Sequence, residues 1–335
     1  MQDLHLNGSA WMREMKGKLI ILIVLLLITS LSYMPISTAK TPKTIIINPL
    51  DDIQEVIDSI DPLSTIILTK GIYNQSFTIF KEIKIMGEDP LETIINVTTE
   101  KNKPAITIAN PFVNLSNITI QNNGPGLYTT GVRIISENTT IHNCIFKNTP
   151  IGISIWSNNN TIQKNTFIKC SDEGIVLLST SFSTANNNKI IQCLFKQNCD
   201  AIELQRSCNN LIQDCIMVKN SHSGIDAIDK DNNMNIIKNC TIENNAVHGI
   251  YFSQSNENQI INCKFKNNID GNVVTPNSHN ISITNTTKNF PSLSNKIIYE
   301  TSVEPEIKPQ EYQKTQQNTI ISQIVQSIKQ FFQFF

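Results

Sequence analysis

Short apolar runs recur along residues 131–265. GVRII (131–135), GISIW (152–156), GIVLL (174–178), AIELQ (201–205), GIDAI (224–228) and GIYFS (249–253) start 21, 22, 27, 23 and 25 residues apart. An Asn- and Ser-rich stretch separates each from a second run: IHNCIF (141–146), IQKNTF (162–167), IIQCLF (190–195), IQDCIM (212–217), IKNCTI (237–242) and IINCKF (260–265). The runs alternate apolar and polar positions, are rich in β-branched residues and are too short for packed helices. Two short strands per repeat predict a parallel solenoid, each coil stacking its apolar row on the next about 4.8 Å away.

Upstream, DDIQEVIDSIDP (51–62) predicts a short helix. Asp51 and Gln54 form a capping box, Ile53, Val56, Ile57 and Ile60 line one face, and Pro62 stops it. STIILTKGIYNQSFTIFKEIKIMGED (64–89) then reads as strand, Gly-x-Tyr turn, strand and Ile-x-Gly-Glu turn. A solenoid needs such a helix, because its first coil has an open edge and an apolar end. On these motifs the chain resembles, over about residues 44–287, the right-handed parallel β-helix proteins of the pectin-lyase-like superfamily. The likeness is strongest to the NosD-type and carbohydrate-binding/sugar-hydrolysis repeat modules. It implies an all-β, right-handed parallel β-helix with an N-terminal capping helix. It implies little about activity, since this fold carries lyases, hydrolases, epimerases, tail spikes and binding proteins.

The flanks differ from the repeats. Residues 1–39 read as an N-terminal extension and export signal: Met15-Lys16-Gly17-Lys18 is a positive flank, Leu19 to Ile28 is apolar, and Ser37-Thr38-Ala39 offers a cleavage site. The alternative is a retained membrane anchor. Either reading puts the 40–287 β-helix outside the cytoplasm: extracellular, periplasmic or on the cell surface. Residues 288–318 mix Pro, Ser, Gln and charge and read as a linker. Residues 319–335 place Ile321, Ile324, Val325, Ile328, Phe331, Phe332 and Phe335 on one face of an amphipathic helix. That helix is expected either to cover the last coil or to attach to a membrane or protein partner. A formal net charge of -1 lacks the basic footprint of a nucleic-acid-binding protein.

The eight cysteines invite a disulfide reading in an exported chain. Five of them (Cys144, Cys193, Cys215, Cys240, Cys263) share one slot of the second run, which Asn165 fills in another coil. Side chains stacked in one direction keep their Cβ atoms farther apart than the ~3.8 Å that a disulfide prefers. A buried ladder of free thiols is therefore expected, with Cys199–Cys208 or Cys170–Cys199 the better-placed pairs for a bond. The resemblance to NosD-type proteins raises copper, but no C-x-x-C spacing supports a metal.

Alternation also sorts the charges. The outward slot holds Arg133, Ser154, Val176, Glu203, Asp226 and Tyr251 along the stack. One position before each coil's Gly or Ala lie Glu173, Asp200, Ser223 and His248; three beyond the outward slot lie Arg206 and Asp229. Glu173, Asp200, Glu203, Arg206, His222, Asp226, Asp229, His248 and Tyr251 are thus expected on one face. Neighbouring carboxylates raise each other's pKa unless Arg206, Lys230 or a cation offsets them, and such clusters mark functional-site candidates. The first expectation is binding of a polysaccharide or cell-surface glycan. Glu173, Arg206, His222, Asp229 and Tyr251 would hold it, with exposed Trp156 as a stacking partner and calcium on Asp226 and Asp229. The alternative is a polysaccharide lyase, glycoside hydrolase or epimerase using Asp200, Glu203, Asp226 and His248. NCDAIE (198–203) and HGIYFS (248–253) resemble the Asn-x-Asp and His-Gly elements of polygalacturonase-type hydrolases. His222-Ser223 stands where that family pairs two aspartates, and its Arg-x-Lys element is missing after Gly271. The Arg-rich signature of pectate lyases and the Asp-Pro-His-Asp element of alginate epimerases are absent as well. A third possibility is a solvated surface without a ligand.

Overall fold

Val132, Ile153, Ile175, Ile202, Ile225, Ile250 and Val273 follow one another in strict register across parallel strands. This column is the fold in miniature, with spacings that match the sequence repeat. The computed structural model of the protein describes residues 41–286 and shows a parallel β-solenoid of three sheets. One sheet has eleven strands, from Thr44–Ile47 to Ser282–Thr284; a second has nine, from Gly71–Tyr73 to Lys264–Lys266. The third, here the site sheet, has nine strands from Phe77–Ile79 to Gly271–Val274. The readings of residues 1–39, 288–318 and 319–335 lie outside the described residues. Among the described residues no helix is long and apolar enough to cross a membrane.

The helix at the N-terminal end is present but shifted. It spans Ile53–Ser59, and Asp52, not Asp51, is the N-cap, accepting from the Glu55 N–H. Asp51 is drawn away by the preceding turn, where its carboxylate accepts from the Asn48 N–H. Gln54 does not close a capping box; its amide accepts from Thr78 N–H and donates to Thr78 O, tying the helix to the site sheet. Ile53, Ile57 and Ile60 are buried as expected.

Between Asn138 and Asn267 the coils turn their corners in the same way. A residue with left-handed backbone precedes an inward-pointing polar side chain: Asn209 before Asn210, Asp214 before Cys215, Lys219 before Asn220. Left-handed backbone costs a non-glycine residue about 1–2 kcal/mol, and the inward side chains offset that cost. At one corner the Oδ1 atoms of Asn188, Asn210, Asn235 and Asn258 each accept from the backbone N–H of the Asn one coil earlier. Asn220, Asn245 and Asn268 form a second ladder of the same kind. Cys144, Cys193, Cys215, Cys240 and Cys263 line the third corner, each thiol donating weakly to backbone carbonyls, with Asn165 in the same column. Beside them Phe146, Phe167 and Phe195 stack face to face with centroids 4.8 Å apart, the spacing of the strands themselves. Gly174 makes room for the last ring, since a Cβ there would lie 2.6 Å from Phe195.

All eight cysteines are free, including the Cys170, Cys199 and Cys208 that sequence spacing offers for disulfides. Burial pushes the Cys144, Cys215 and Cys240 thiols up, so they stay protonated and make poor copper ligands. We expect a thiol reagent to label only Cys199 and Cys208 in the native protein, and the other six only on unfolding. Native labelling at Cys215 or Cys240, read by peptide mass spectrometry, would contradict the ladder.

Candidate active site

Four consecutive strands of the site sheet carry the cluster: Glu173–Leu178, Asp200–Gln205, Ile225–Ala227 and His248–Phe252. Register places Glu173 beside Asp200, Glu203 beside Asp226, and Asp226 beside Tyr251. These are the neighbours that alternation predicts, but the face is not a solvated one. Glu173, Asp200 and Asp226 are only 6%, 7% and 6% exposed.

His222 enters from the bend before its strand and is the hub. Its Nδ1 lies 2.8 and 3.1 Å from the two oxygens of Asp200 and 3.4 Å from Asp226 Oδ2. The Ser223 backbone N–H donates to Asp200 Oδ1 at 2.6 Å and fixes that carboxylate. One coil on, the His248 ring meets the His222 ring edge-on at 6.5 Å and stacks on Tyr251 at 4.8 Å. Two polar atoms at the centre are buried without a hydrogen-bond partner, Asp226 Oδ1 and His248 Nδ1.

Electrostatics follow from burial and crowding. Asp226 is pushed up to about 7, by burial first and then by the Asp200 charge, with His222 opposing and Glu203 adding a little. Asp200 is raised by burial, an effect that His222 and the Ser223 N–H reduce. His248 is lowered by burial and by His222, which keeps it neutral near pH 7. A second group of acids sits on the coil below. Burial, then Glu203 and Asp172, drive Glu173 far above the usual carboxylate range. Glu173 Oε2 has no donor partner, and a proton held on Glu173 supplies one toward Glu203 and Asp172.

The remaining expected residues fall elsewhere. Arg206 is exposed, in left-handed backbone at the end of its strand, and Asp229 and Lys230 are exposed beyond theirs. None of the three is among the influences on Asp226, and among the described residues His222 is the basic group that opposes its rise. Of the expected metal pair Asp226 and Asp229, only Asp226 is in the group of described residues that converge as candidate metal ligands, which is Asp200, His222 and Asp226. Their imidazole nitrogen and two carboxylates make a poor calcium set, since calcium takes six to eight oxygens. Trp156 is not an open platform. It is half-buried, the Arg133 guanidinium lies 5.0 Å over its ring, and its indole N–H donates to Ser154 Oγ. Tyr251 is half-buried against His248. Reading the sequence missed Asp172, which interacts with Glu173, and the Gln205 amide, which donates to Glu203.

This solenoid is shared with known proteins. The family described as "Right handed beta helix region" matches residues 85–236 and 183–288, and the chain belongs to that family. A search of curated protein sequences finds no match. Among solved structures, the enzymatically active domain of bacteriophage CBA120 tailspike protein 2 superposes with a TM-score of 0.59 at 14% identity, covering 72% of this chain and 42% of that domain. A mannuronic acid specific polysaccharide family 6 lyase from human gut microbiota gives 0.55 at 11%, covering 73% and 64%. The A-module of the Azotobacter vinelandii mannuronan C-5 epimerase AlgE4 gives 0.53 at 13%, covering 73% and 87%. At these identities the likeness is one of fold, and the chain spans less than two thirds of the first two.

The buried acid has a thermodynamic consequence. A carboxyl whose folded pKa is raised stabilises the fold fully below its unfolded value near 4.5, and that contribution fades as pH rises toward the folded pKa. Glu173→Gln keeps the shape and donor while removing the titration. We expect equal stability near pH 4 and an advantage for the variant that grows by up to about 1.4 kcal/mol per pH unit above it. Denaturant melts of the two proteins that run parallel from pH 4 to 8 would contradict a buried, protonated Glu173.

Proposed function

We propose that the protein is an exported enzyme that modifies a uronate-containing polysaccharide by removing a proton next to the sugar carboxylate, as a lyase or C-5 epimerase. The observation that carries this reading is the half-buried His248–Tyr251 pair, stacked at 4.8 Å on the site sheet. Abstraction at C5 needs a neutral base, and His248 is kept neutral. Tyr251 supplies an O–H beside it. In elimination the base takes the C5 proton, the C4–O bond breaks, a C4–C5 double bond forms, and the leaving oxygen collects a proton from Tyr251. In epimerisation a proton returns to C5 from the opposite side.

Several observations support this chemistry over the others. Hydrolysis needs two carboxyl groups free to flank a glycosidic bond, about 5–5.5 or 6.5–9.5 Å apart. Asp200 and Asp226 are instead buried and turned on one imidazole, with donor atoms within 4.8 Å. Binding by aromatic stacking alone is poorly served by Trp156 and Tyr251, whose rings already pack against Arg133 and His248. An anionic sugar also meets less negative charge than the formula suggests, because Glu173 is protonated and Asp226 partly so. Arg133 lies in the same outward column, four strands from Asp226 or about 19 Å, and offers a cation further along an extended chain. The named activities of the lyase and epimerase neighbours belong to the same reaction class. The apolar stretch at residues 19–28 fits export to where such polymers lie.

The test is incubation with mannuronan, polygalacturonate and neutral glucans, followed by ultraviolet absorbance for unsaturated ends and NMR for C5 inversion. We expect unsaturated or inverted products from a uronan alone, and a loss of at least about 10²-fold in His248→Ala. Reducing ends without unsaturation, or co-sedimentation without any product, would overturn the reading.

A further inference from the structure

We propose that Asp200, His222 and Asp226 form a binding site for a divalent transition-metal ion of the zinc class. Each residue turns one donor atom into a common space, with all three atoms within 4.8 Å of one another. Asp200 Oδ1 lies 2.8 Å from His222 Nδ1, and His222 Nδ1 lies 3.4 Å from Asp226 Oδ2. Around an ion with bonds of about 2.0–2.1 Å, adjacent ligands sit roughly 2.9 Å apart in an octahedron and roughly 3.4 Å apart in a tetrahedron. The two edges that meet at His222 Nδ1 already have those lengths, and the Asp200–Asp226 edge is no longer than 4.8 Å.

Protons alone match the trio poorly. A single Nδ1–H faces three carboxylate oxygens at 2.8, 3.1 and 3.4 Å and satisfies only part of their demand. The Asp226 side chain is 8% exposed, and its Oδ1 is buried with no partner at all. One cation in this space engages the imidazole lone pair and both carboxylates together. The donor set selects the class of ion: imidazole with carboxylate suits zinc, manganese, iron, cobalt or nickel. Calcium would find only two oxygen-bearing side chains here, too few for its shell. Outer contacts are in place too, since the Ser223 N–H orients the Asp200 carboxylate. His222 is 39% exposed, which leaves a side of the site open to water or to a ligand oxygen. No linear motif signals the site, because its ligands come from two coils. The inference does not depend on the polysaccharide reading, and metal can be bound whether or not the reaction is found.

The experiment uses the purified full chain, stripped with chelator and dialysed separately against zinc, manganese and calcium before bound metal is measured by mass spectrometry. Titration with cobalt gives a second readout, the visible bands of a mixed nitrogen–oxygen site. We expect one zinc or cobalt ion per chain, no retained calcium, and affinity at least about tenfold weaker in His222→Ala and Asp226→Asn. Asp214→Asn, in the bend between the other two sheets, serves as the control and should bind as the wild type does. Partly exposed His222 can be removed without opening the core, so its variant tests the site even if Asp226→Asn fails to fold. No retained zinc or cobalt, equal retention by His222→Ala, or preference for calcium would overturn the proposal.

Discussion

The register of each coil on the next is the constraint on which everything else rests. A shift of one residue in a strand exchanges its two faces. In Ile225–Ala227 that slip would drive Asp226 into the core and turn Ile225 out. Alternating apolar rows oppose such slippage, but the corners hold it more firmly. The two asparagine ladders and the column of thiols and Asn165 tie one corner to the next. Their amide oxygens satisfy buried N–H groups that would otherwise cost about 1–3 kcal/mol each. With the corners fixed, residues more than twenty positions apart, such as Asp200 and His222, meet at hydrogen-bond distance.

That rigidity explains how the chain tolerates acids crowded on one face. Asp200, Asp226 and Glu173 are held on adjacent strands and shielded from water, so their mutual repulsion cannot relax by side-chain drift. Burial first, and then neighbouring charges such as Asp200 on Asp226 and Glu203 on Glu173, raise their pKa values. Among the described residues His222 is the basic group placed against Asp200 and Asp226. The two histidines differ in kind: His222 is engaged by carboxylates through Nδ1, whereas His248 is neutral and packed on an aromatic ring. One suits ligation and positioning, the other proton transfer.

The fold was legible because a solenoid writes its period into the chain. The coil lengths read from GISIW, GIVLL and AIELQ are those of the paired strands. The cysteine column was legible for the same reason. The asparagine ladders were not, since asparagine in a turn serves equally for left-handed backbone and for internal bonding; Asn209 does the first and Asn210 the second. At the site, alternation identified neighbours correctly, as with Glu203, Asp226 and Tyr251. Depth was hidden, because an outward-pointing carboxylate can still be buried by what the bends lay over it. Arg206 and Asp229 were assigned to the face by counting past the strand ends, where the chain turns and the two-residue period no longer applies.

Release of label from C5 of a uronan tests the proposed chemistry most directly. A mannuronan carrying tritium at C5 loses that label to water under either elimination or epimerisation, so the measurement does not depend on which product forms. The wild-type protein should release it in step with substrate turnover, and His248→Ala should release almost none. Turnover of the polymer with the label kept at C5 would contradict proton abstraction as the function of this site.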